Sequence, residues 1–196
     1  GNLLGEEQSG HIKEVGFELY QQMLEEAVAE MKGTEPDSSG AWSPQITLGT
    51  AVMIPEGYVP DLQLRMTLYR RLADLDDARE IDAFGAELID RFGPMPPEVE
   101  HLLKVVFIKA LCRKANIEKL DAGPKGLVVQ FREKTFSNPA ALVRYIGEQG
   151  AAAKIRPDQS IVFMRDWPKP ETRLNGAATI ATQLARFAGE AEKKAA

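Results

Sequence analysis

The stretch Glu87–Pro97, ELIDRFGPMPP, decides the fold because it ends one amphipathic helix and begins another. Gly93 is suited to cap the first helix, and Pro94 prevents its continuation. The apolar spacing upstream predicts a helix over residues 77–92, whose inward side chains are Ile81, Phe84, Leu88 and Phe92. Pro96 and Pro97 suit the first turn of the next helix. That helix is expected to bury Val99, Leu102, Leu103, Val106, Ala110 and either Leu111 or Cys112.

Further elements are predicted on both sides of this stretch. Upstream lie a strand over residues 46–54 and a helix that begins after Asp61 as N-cap, with Leu62, Met66, Tyr69 and Leu72 apolar. Downstream the period shortens, which predicts strands over 117–120, 126–131, 154–156 and 160–164, with helices over 139–149 and about 171–188. Helices followed by a strand-rich segment favour an α+β fold class: helices plus a small, mostly antiparallel sheet, preceded by a long amphipathic helix.

The N-terminal third has a different organisation. Residues 12–32 carry one apolar stripe at helical spacing and are predicted to form that long helix. Residues 33–44 are rich in Gly, Ser and Pro and read as a linker. We therefore divide the chain into a loop and helix (1–32), the linker (33–44), a C-terminal domain (45–190) and a frayed tail (191–196).

Charge is unevenly distributed along this chain of 196 residues and net charge −5. Residues 1–60 hold ten acidic residues and two lysines, whereas residues 104–173 hold fourteen basic and seven acidic ones. This basic tilt permits docking onto an acidic partner, but it is too scattered to define a nucleic-acid site. No apolar run approaches the length of a membrane span. The single Cys112 is expected to be a buried, inert thiol, as suits a reducing cytoplasm.

The sequence predicts no catalytic residues, no metal site and no cofactor site in this chain. It lacks a G-x-x-x-x-G-K-[ST] phosphate loop, a G-x-S-x-G elbow and any metal-ligand spacing of Cys, His, Asp and Glu. His11 and His101 are its two histidines, and a small hydrolase that uses one of them is the weakest of the functions considered.

Two carboxylates in the deciding stretch form a candidate interface. Glu87 and Asp90 are three residues apart, so they share a helix face. Asp90 lies in the last turn, where the helix dipole disfavours negative charge. Arg91 can relieve this locally, or the carboxylates can receive an arginine from another surface. The residues alone leave both interpretations open.

The chain begins inside a polar loop bracketed by Gly5 and Gly10, so we expect it to be the C-terminal piece of a longer protein. Gln8 in this loop carries both a donor and an acceptor. The loop resembles the end of the translocation motif of double-stranded DNA translocases of the RecG and Mfd type. The Glu87–Pro97 stretch resembles the C-terminal domain of bacterial transcription-repair coupling factors. Together the two resemblances cover nearly the whole chain.

This resemblance implies a parent protein that uses ATP and magnesium, in motor lobes absent from this chain, to move on double-stranded DNA. That parent displaces stalled RNA polymerase and recruits the excision-repair protein UvrA. In such proteins Gln8, with Gly5 and Gly10, would couple lobe movement to translocation, although the Arg-Gly pair that starts the motif is absent.

For the C-terminal domain, the resemblance implies an autoinhibitory module that folds back on a UvrB-like module and masks its UvrA-binding surface. Glu87, Asp90 and Arg91 would form this intramolecular interface. The alternative is a DNA-contacting accessory domain that uses the basic tilt.

Overall fold

The computed structural model describes residues 42–50 and 52–195. The helices are α1 Leu62–Ala73, α2 Ala78–Phe92, α3 Pro97–Ala115, α4 Pro139–Glu148 and α5 Pro170–Ala195. The strands are β1 Gln45–Thr47, β2 Ile117–Gly123, β3 Gly126–Phe131, β4 Ala153–Ile155 and β5 Ile161–Met164. The predicted α+β class is confirmed. The loop and helix over 1–32, and the linker up to residue 41, lie outside the described residues.

Two compact units divide the described chain. The first, called the helical unit here, comprises Thr50–Phe107; the second, the sheet unit, comprises Trp42–Gly49 and Ile108–Ala196. The division falls within α3, so each unit uses part of that helix.

The core of the helical unit comes from the apolar stripes that the sequence shows. The buried side chains include Leu68 and Leu72 of α1, Phe84 and Leu88 of α2, and Val99 and Leu102 of α3. Asp61 caps α1, because its side chain accepts a hydrogen bond from the backbone amide of Gln63 at 2.9 Å. Leu62, the first of the apolar residues named for this helix, is 57% exposed. It is the first residue of the helix, where no preceding turn of α1 covers its side chain.

The sheet unit holds five strands in the order β1-β2-β3-β5-β4. β1 pairs in parallel with β2, and the other three pairings are antiparallel, as predicted for a mostly antiparallel sheet. Side chains alternate along β3, so that Leu127, Val129 and Phe131 are buried while their neighbours are half-buried. α4 contacts β4 and α5 contacts β2.

Two predicted boundaries are wrong by seven residues each, and β2, predicted to end at residue 120, continues to Gly123. The strand predicted over 46–54 ends at Thr47, because Gly49 adopts a left-handed φ of 62° that interrupts the extended backbone. The last helix was expected to end near Ala188 but continues to Ala195. Its final turns carry Glu190, Glu192, Lys193 and Lys194, which favour a helix although they give no apolar stripe.

Candidate docking surface

The described residues place no catalytic constellation in either unit. No group of three or more His, Cys, Asp or Glu side chains within them has the geometry to hold a metal ion. His101 is half-buried, with its Nδ1 atom 3.4 Å from the Thr50 hydroxyl. Cys112 is fully buried as predicted, and burial raises the pKa of its thiol to about 12. A thiol that stays protonated at neutral pH is a poor nucleophile.

The Glu87 carboxylate lies in a cluster with two arginines, which we call the ion-pair cluster: Arg71, Glu87 and Arg91. Arg71 of α1 donates from both terminal nitrogens, at 2.5 Å to Oε2 and 2.7 Å to Oε1. Arg91, one turn along α2, donates to Oε2 at 3.0 Å. Such bidentate pairing is the strong geometry for a guanidinium and a carboxylate.

Aromatic rings support both arginines of this cluster. The guanidinium of Arg71 lies 4.9 Å from the centre of the Phe84 ring, and that of Arg91 lies 5.1 Å from the Phe92 ring. Hydrogen bonds from Arg71 first, and then from Arg91, lower the pKa of Glu87 from 4.5 to about 2. Glu87 is therefore ionised and satisfied within its own unit.

Asp90 differs from Glu87 although the sequence grouped the two. Its side chain is exposed, and it forms no ion pair with any residue in the described part of the chain. The local partnership between Arg91 and Asp90 that the sequence allowed does not occur, because Arg91 bonds to Glu87 one turn earlier. At four residues Arg91 and Glu87 are neighbours on the helix surface, whereas adjacent residues point away from each other.

The helix that carries these groups is fixed at both ends. At its start, the Asp77 side chain accepts from the Glu80 amide at 2.8 Å. At its end, the Gly93 amide donates to the Ile89 carbonyl at 2.9 Å, as the predicted cap requires. The Tyr58 hydroxyl lies 2.8 Å from the Gly93 carbonyl oxygen and 3.1 Å from that of Leu88. The turn that presents Asp90 is therefore anchored to the rest of the unit.

Sequence reasoning did not find two residues of this site, Arg71 and Tyr58. Arg71 belongs to a basic last turn of α1, which favours a helix end regardless of any partner. Tyr58 lies in a turn between proline residues. Arg71 is placed by the pairing of α1 with α2, and Tyr58 by the packing of its turn against the end of α2. Both are tertiary contacts.

The other predicted site residues fall elsewhere. Gly5, Gln8 and Gly10 lie outside the described residues. The excess of basic residues in 104–173 is smaller at the surface than in the sequence, because Lys109 and Arg173 are buried. Arg173 donates to the backbone carbonyls of Leu48 and Trp167, at 2.9 and 3.2 Å. The guanidinium of Arg173 therefore binds carbonyl groups of the sheet unit and is not presented at the surface.

Comparison with known proteins gives one family. The TRCF domain family matches residues 48–142. The transcription-repair-coupling factor of Rickettsia bellii is 46% identical over 84% of this chain, and that of Escherichia coli K12 is 34% identical over 89% of it. The protein of the same name from Myxococcus xanthus is 35% identical over 83% of the chain. The chain spans about 15% of the length of the first two relatives.

A solved structure shares the fold. It is described as the C-terminal domain of transcription-repair coupling factor, and it covers 76% of this chain and 96% of its own, with a TM-score of 0.66 and 19% identity. None of the described helices combines the length and hydropathy that crossing a membrane requires. The chain belongs to the family of transcription-repair-coupling factors, in which it corresponds to the C-terminal region.

Proposed function

We propose that this chain is a regulatory interaction module of a transcription-repair-coupling factor. In the parent protein, ATP and magnesium bound in separate motor lobes drive movement on double-stranded DNA, displacement of stalled RNA polymerase and recruitment of UvrA. The module covers the UvrA-binding surface of the UvrB-like module until polymerase is engaged. It needs no cofactor and catalyses no reaction of its own.

The observation that carries this proposal is Asp90 on an anchored helix end, exposed and without an ion-pair partner among the described residues. An exposed carboxylate in the last turn of a helix adds to the negative end of the helix dipole. A cation from another surface would interact favourably with both the Asp90 carboxylate and the negative end of the helix dipole. An arginine can bind the carboxylate bidentately, and once water is excluded such a contact is costly to break, by roughly 3 to 5 kcal/mol.

Glu87 and Arg91 support Asp90 in this role. Arg71 and Arg91 already saturate Glu87, so a partner's arginine meets a patch of alternating charge in which Asp90 is the open acceptor. Glu87 and Arg91 then form the fixed border of the interface. This arrangement favours a specific, geometrically defined partner over general attraction to a charged polymer.

The test uses the full-length parent protein and its affinity for UvrA. Asp90→Ala is expected to raise that affinity about tenfold or more, because loss of one buried ion pair opens the masked surface. Asp166→Ala, which alters an exposed aspartate of the sheet unit, is the matched control and should leave the affinity unchanged. Equal affinities for the wild type and Asp90→Ala would contradict the proposal.

A salt titration separates this function from DNA contact by the basic residues. Binding of the 196-residue chain to duplex DNA is expected to be undetectable at physiological salt. A logarithm of affinity that falls steeply and linearly with the logarithm of salt concentration would favour the DNA-binding alternative.

An ATPase assay on the same chain should give no turnover above the buffer background, since the sequence has no phosphate loop.

A further inference from the structure

The strand β4 forms one edge of the sheet, so one side of its backbone has no neighbouring strand among the described residues. The Arg156 amide donates to the Ser160 carbonyl at 2.8 Å, and hydrogen-bonded pairs alternate along an antiparallel ladder. Lys154, two residues before Arg156 and opposite Val162, therefore directs its backbone groups towards β5. Ile155 lies between the two cations, so its N–H and C=O groups point outwards, where a further strand would pair with them.

Side chains along this edge alternate between an apolar and a basic face. Ala153 and Ile155 point to the face that the helices cover, where Ala153 is buried and Ile155 is 52% exposed. Lys154 and Arg156 are exposed on the opposite face, where Arg156 lines a cavity together with Val162. Neither cation forms an ion pair within the part of the chain that the structure describes. We call Lys154, Ile155 and Arg156 the β4 edge.

The helix α4 adds an apolar flank beside this edge. The Tyr145 ring lies 5.9 Å from that of Phe163 in β5 and 5.5 Å from that of Phe187 in α5, so it marks the side of α4 that faces α5. Ile146 and Val143 follow around the helix axis on the other side, which is the side of β4. Ile146 is half-buried and Val143 is 63% exposed. An apolar side chain added beside β4 would therefore have a surface on which to pack.

Both ends of β4 are held in place by side chains of the sheet unit. Arg165 donates to the Gln149 side-chain oxygen at 2.7 Å and to the Ala152 carbonyl at 3.3 Å, just before the strand begins. Beyond its other end, the Asp158 carboxylate accepts from the Ser160 amide at 2.9 Å and from the Ser160 hydroxyl at 2.6 Å. An edge that is already ordered loses little conformational entropy when it binds.

The charges of the β4 edge decide which occupant it favours. A second copy that paired through the same edge, about a two-fold axis perpendicular to the sheet, would bring Lys154 and Arg156 of both copies to one face. Such like-charge contacts oppose pairing, and lysine on an exposed edge strand is one device by which proteins avoid self-association. An acidic segment would instead form an ion pair with each cation.

We propose that the β4 edge binds an extended segment of a partner protein in which an apolar residue stands between two acidic residues. The apolar residue exchanges two backbone hydrogen bonds with Ile155, and its side chain packs on Ile155 and on the flank of α4. The acidic residues on either side of it lie opposite Lys154 and Arg156. This site lies in the sheet unit and uses none of the residues of the proposed function, so it goes beyond that function and does not rest on it.

The first experiment titrates the 196-residue chain with a synthetic peptide, Thr-Glu-Val-Glu-Thr, whose ends are blocked. Saturable shifts of the Lys154 and Ile155 amide signals in NMR spectra are expected, with a dissociation constant on the order of 1 mM for so short a segment. The peptide with lysine in place of both glutamates should bind about tenfold more weakly. A peptide methylated at the valine nitrogen should bind about fivefold more weakly, because it cannot donate to the Ile155 carbonyl.

Charge-reversed variants of the chain test the ion pairs. Lys154→Glu combined with Arg156→Glu should reverse the preference, so that the lysine peptide binds about tenfold more tightly than the glutamate peptide. Lys193→Glu, at an exposed lysine near the end of α5, is the matched control and should keep the wild-type preference. Melting curves followed by circular dichroism show whether each variant is folded. If the reversed variant is not folded, Lys154→Gln with Arg156→Gln takes its place and should bind both peptides equally.

Three results would overturn the proposal. Equal affinity of the wild-type chain for the glutamate and lysine peptides would show that the edge does not select acidic segments. Absence of a shift at Ile155 with about 5 mM glutamate peptide would show that the edge does not accept a strand. An Ile155 signal that moves with protein concentration, in the absence of peptide, would show that a second copy occupies the edge.

Discussion

Glu87 of the ion-pair cluster and the two aspartates Asp82 and Asp90 lie on the same helix, α2, but these carboxylates are in opposite situations. In the cluster, Glu87 accepts three hydrogen bonds from two arginines. Asp82 and Asp90 are exposed and have no ion-pair partner among the residues that the structure describes. A carboxylate that pairs with cations of its own unit contributes to folding, whereas a carboxylate without such a partner can still form an ion pair with another molecule.

This difference explains why residue spacing alone misjudged the pair. Glu87 and Asp90 are three apart and look equivalent from the sequence. The position of Arg71, sixteen residues before Glu87, is what distinguishes them. Glu87 is therefore expected to contribute to folding, and Asp90 to docking.

The largest effect is expected from Leu88, a fully buried side chain of α2, the helix that carries Glu87 and Asp90. Leu88→Ala should lower the free energy of unfolding by about 2 to 5 kcal/mol. Leu62→Ala, at a side chain that is 57% exposed, should change it by less than about 0.5 kcal/mol. Urea unfolding of the chain, followed by circular dichroism, measures both. Equal effects would mean that α2 is not packed as described.

A smaller, pH-dependent effect is expected from the ion-pair cluster. The pKa of Glu87 is lowered from 4.5 to about 2, so its contribution to stability is fully present above pH 4.5 and is lost as the pH falls towards 2. Because the carboxylate is partly exposed, the contribution at pH 7 should be only about 1 kcal/mol or less. Glu87→Gln should therefore be less stable than the wild type at pH 7, and nearly equal to it at pH 2.

Unfolding curves at the two pH values give the result for Glu87. The control is Leu62→Ala, which changes no charge, so its small stability difference from the wild type should be the same at both pH values. If the stability difference for Glu87→Gln persisted unchanged at pH 2, the charge of Glu87 would not be its source, and the contrast with Asp90 would lose its electrostatic basis.

How much was predictable depends on whether a feature is local. The ends of α2 follow from Asp77 and Gly93, because capping depends on residues within one turn. The buried stripes of α2 and α3 follow from apolar spacing for the same reason. β1 was predicted six residues too long, since the left-handed turn at Gly49 is set where Arg173, far along the chain, approaches the backbone.

The site shows the same limit. Its carboxylates were predicted because they lie in one distinctive stretch, Glu87–Pro97. The partner of Glu87 and the anchor of the helix end were not, because Arg71 and Tyr58 reach the site only after α1, α2 and the preceding turn have packed.

The smallest predicted effect concerns Asp90 itself, and its sign is the sharpest test of the comparison. Asp90→Asn removes a negative charge from the last turn of α2, where the helix dipole opposes that charge. The isolated chain should become more stable by about 0.3 kcal/mol, a rise of ~1 °C in melting temperature for a chain of this size. In the full-length protein the same substitution should weaken docking and raise UvrA affinity. Differential scanning calorimetry on the chain and UvrA titration of the parent give the two signs. A loss of 1 kcal/mol or more in the isolated chain would mean that Asp90 already has a partner within it, and the division between folding and docking would not hold.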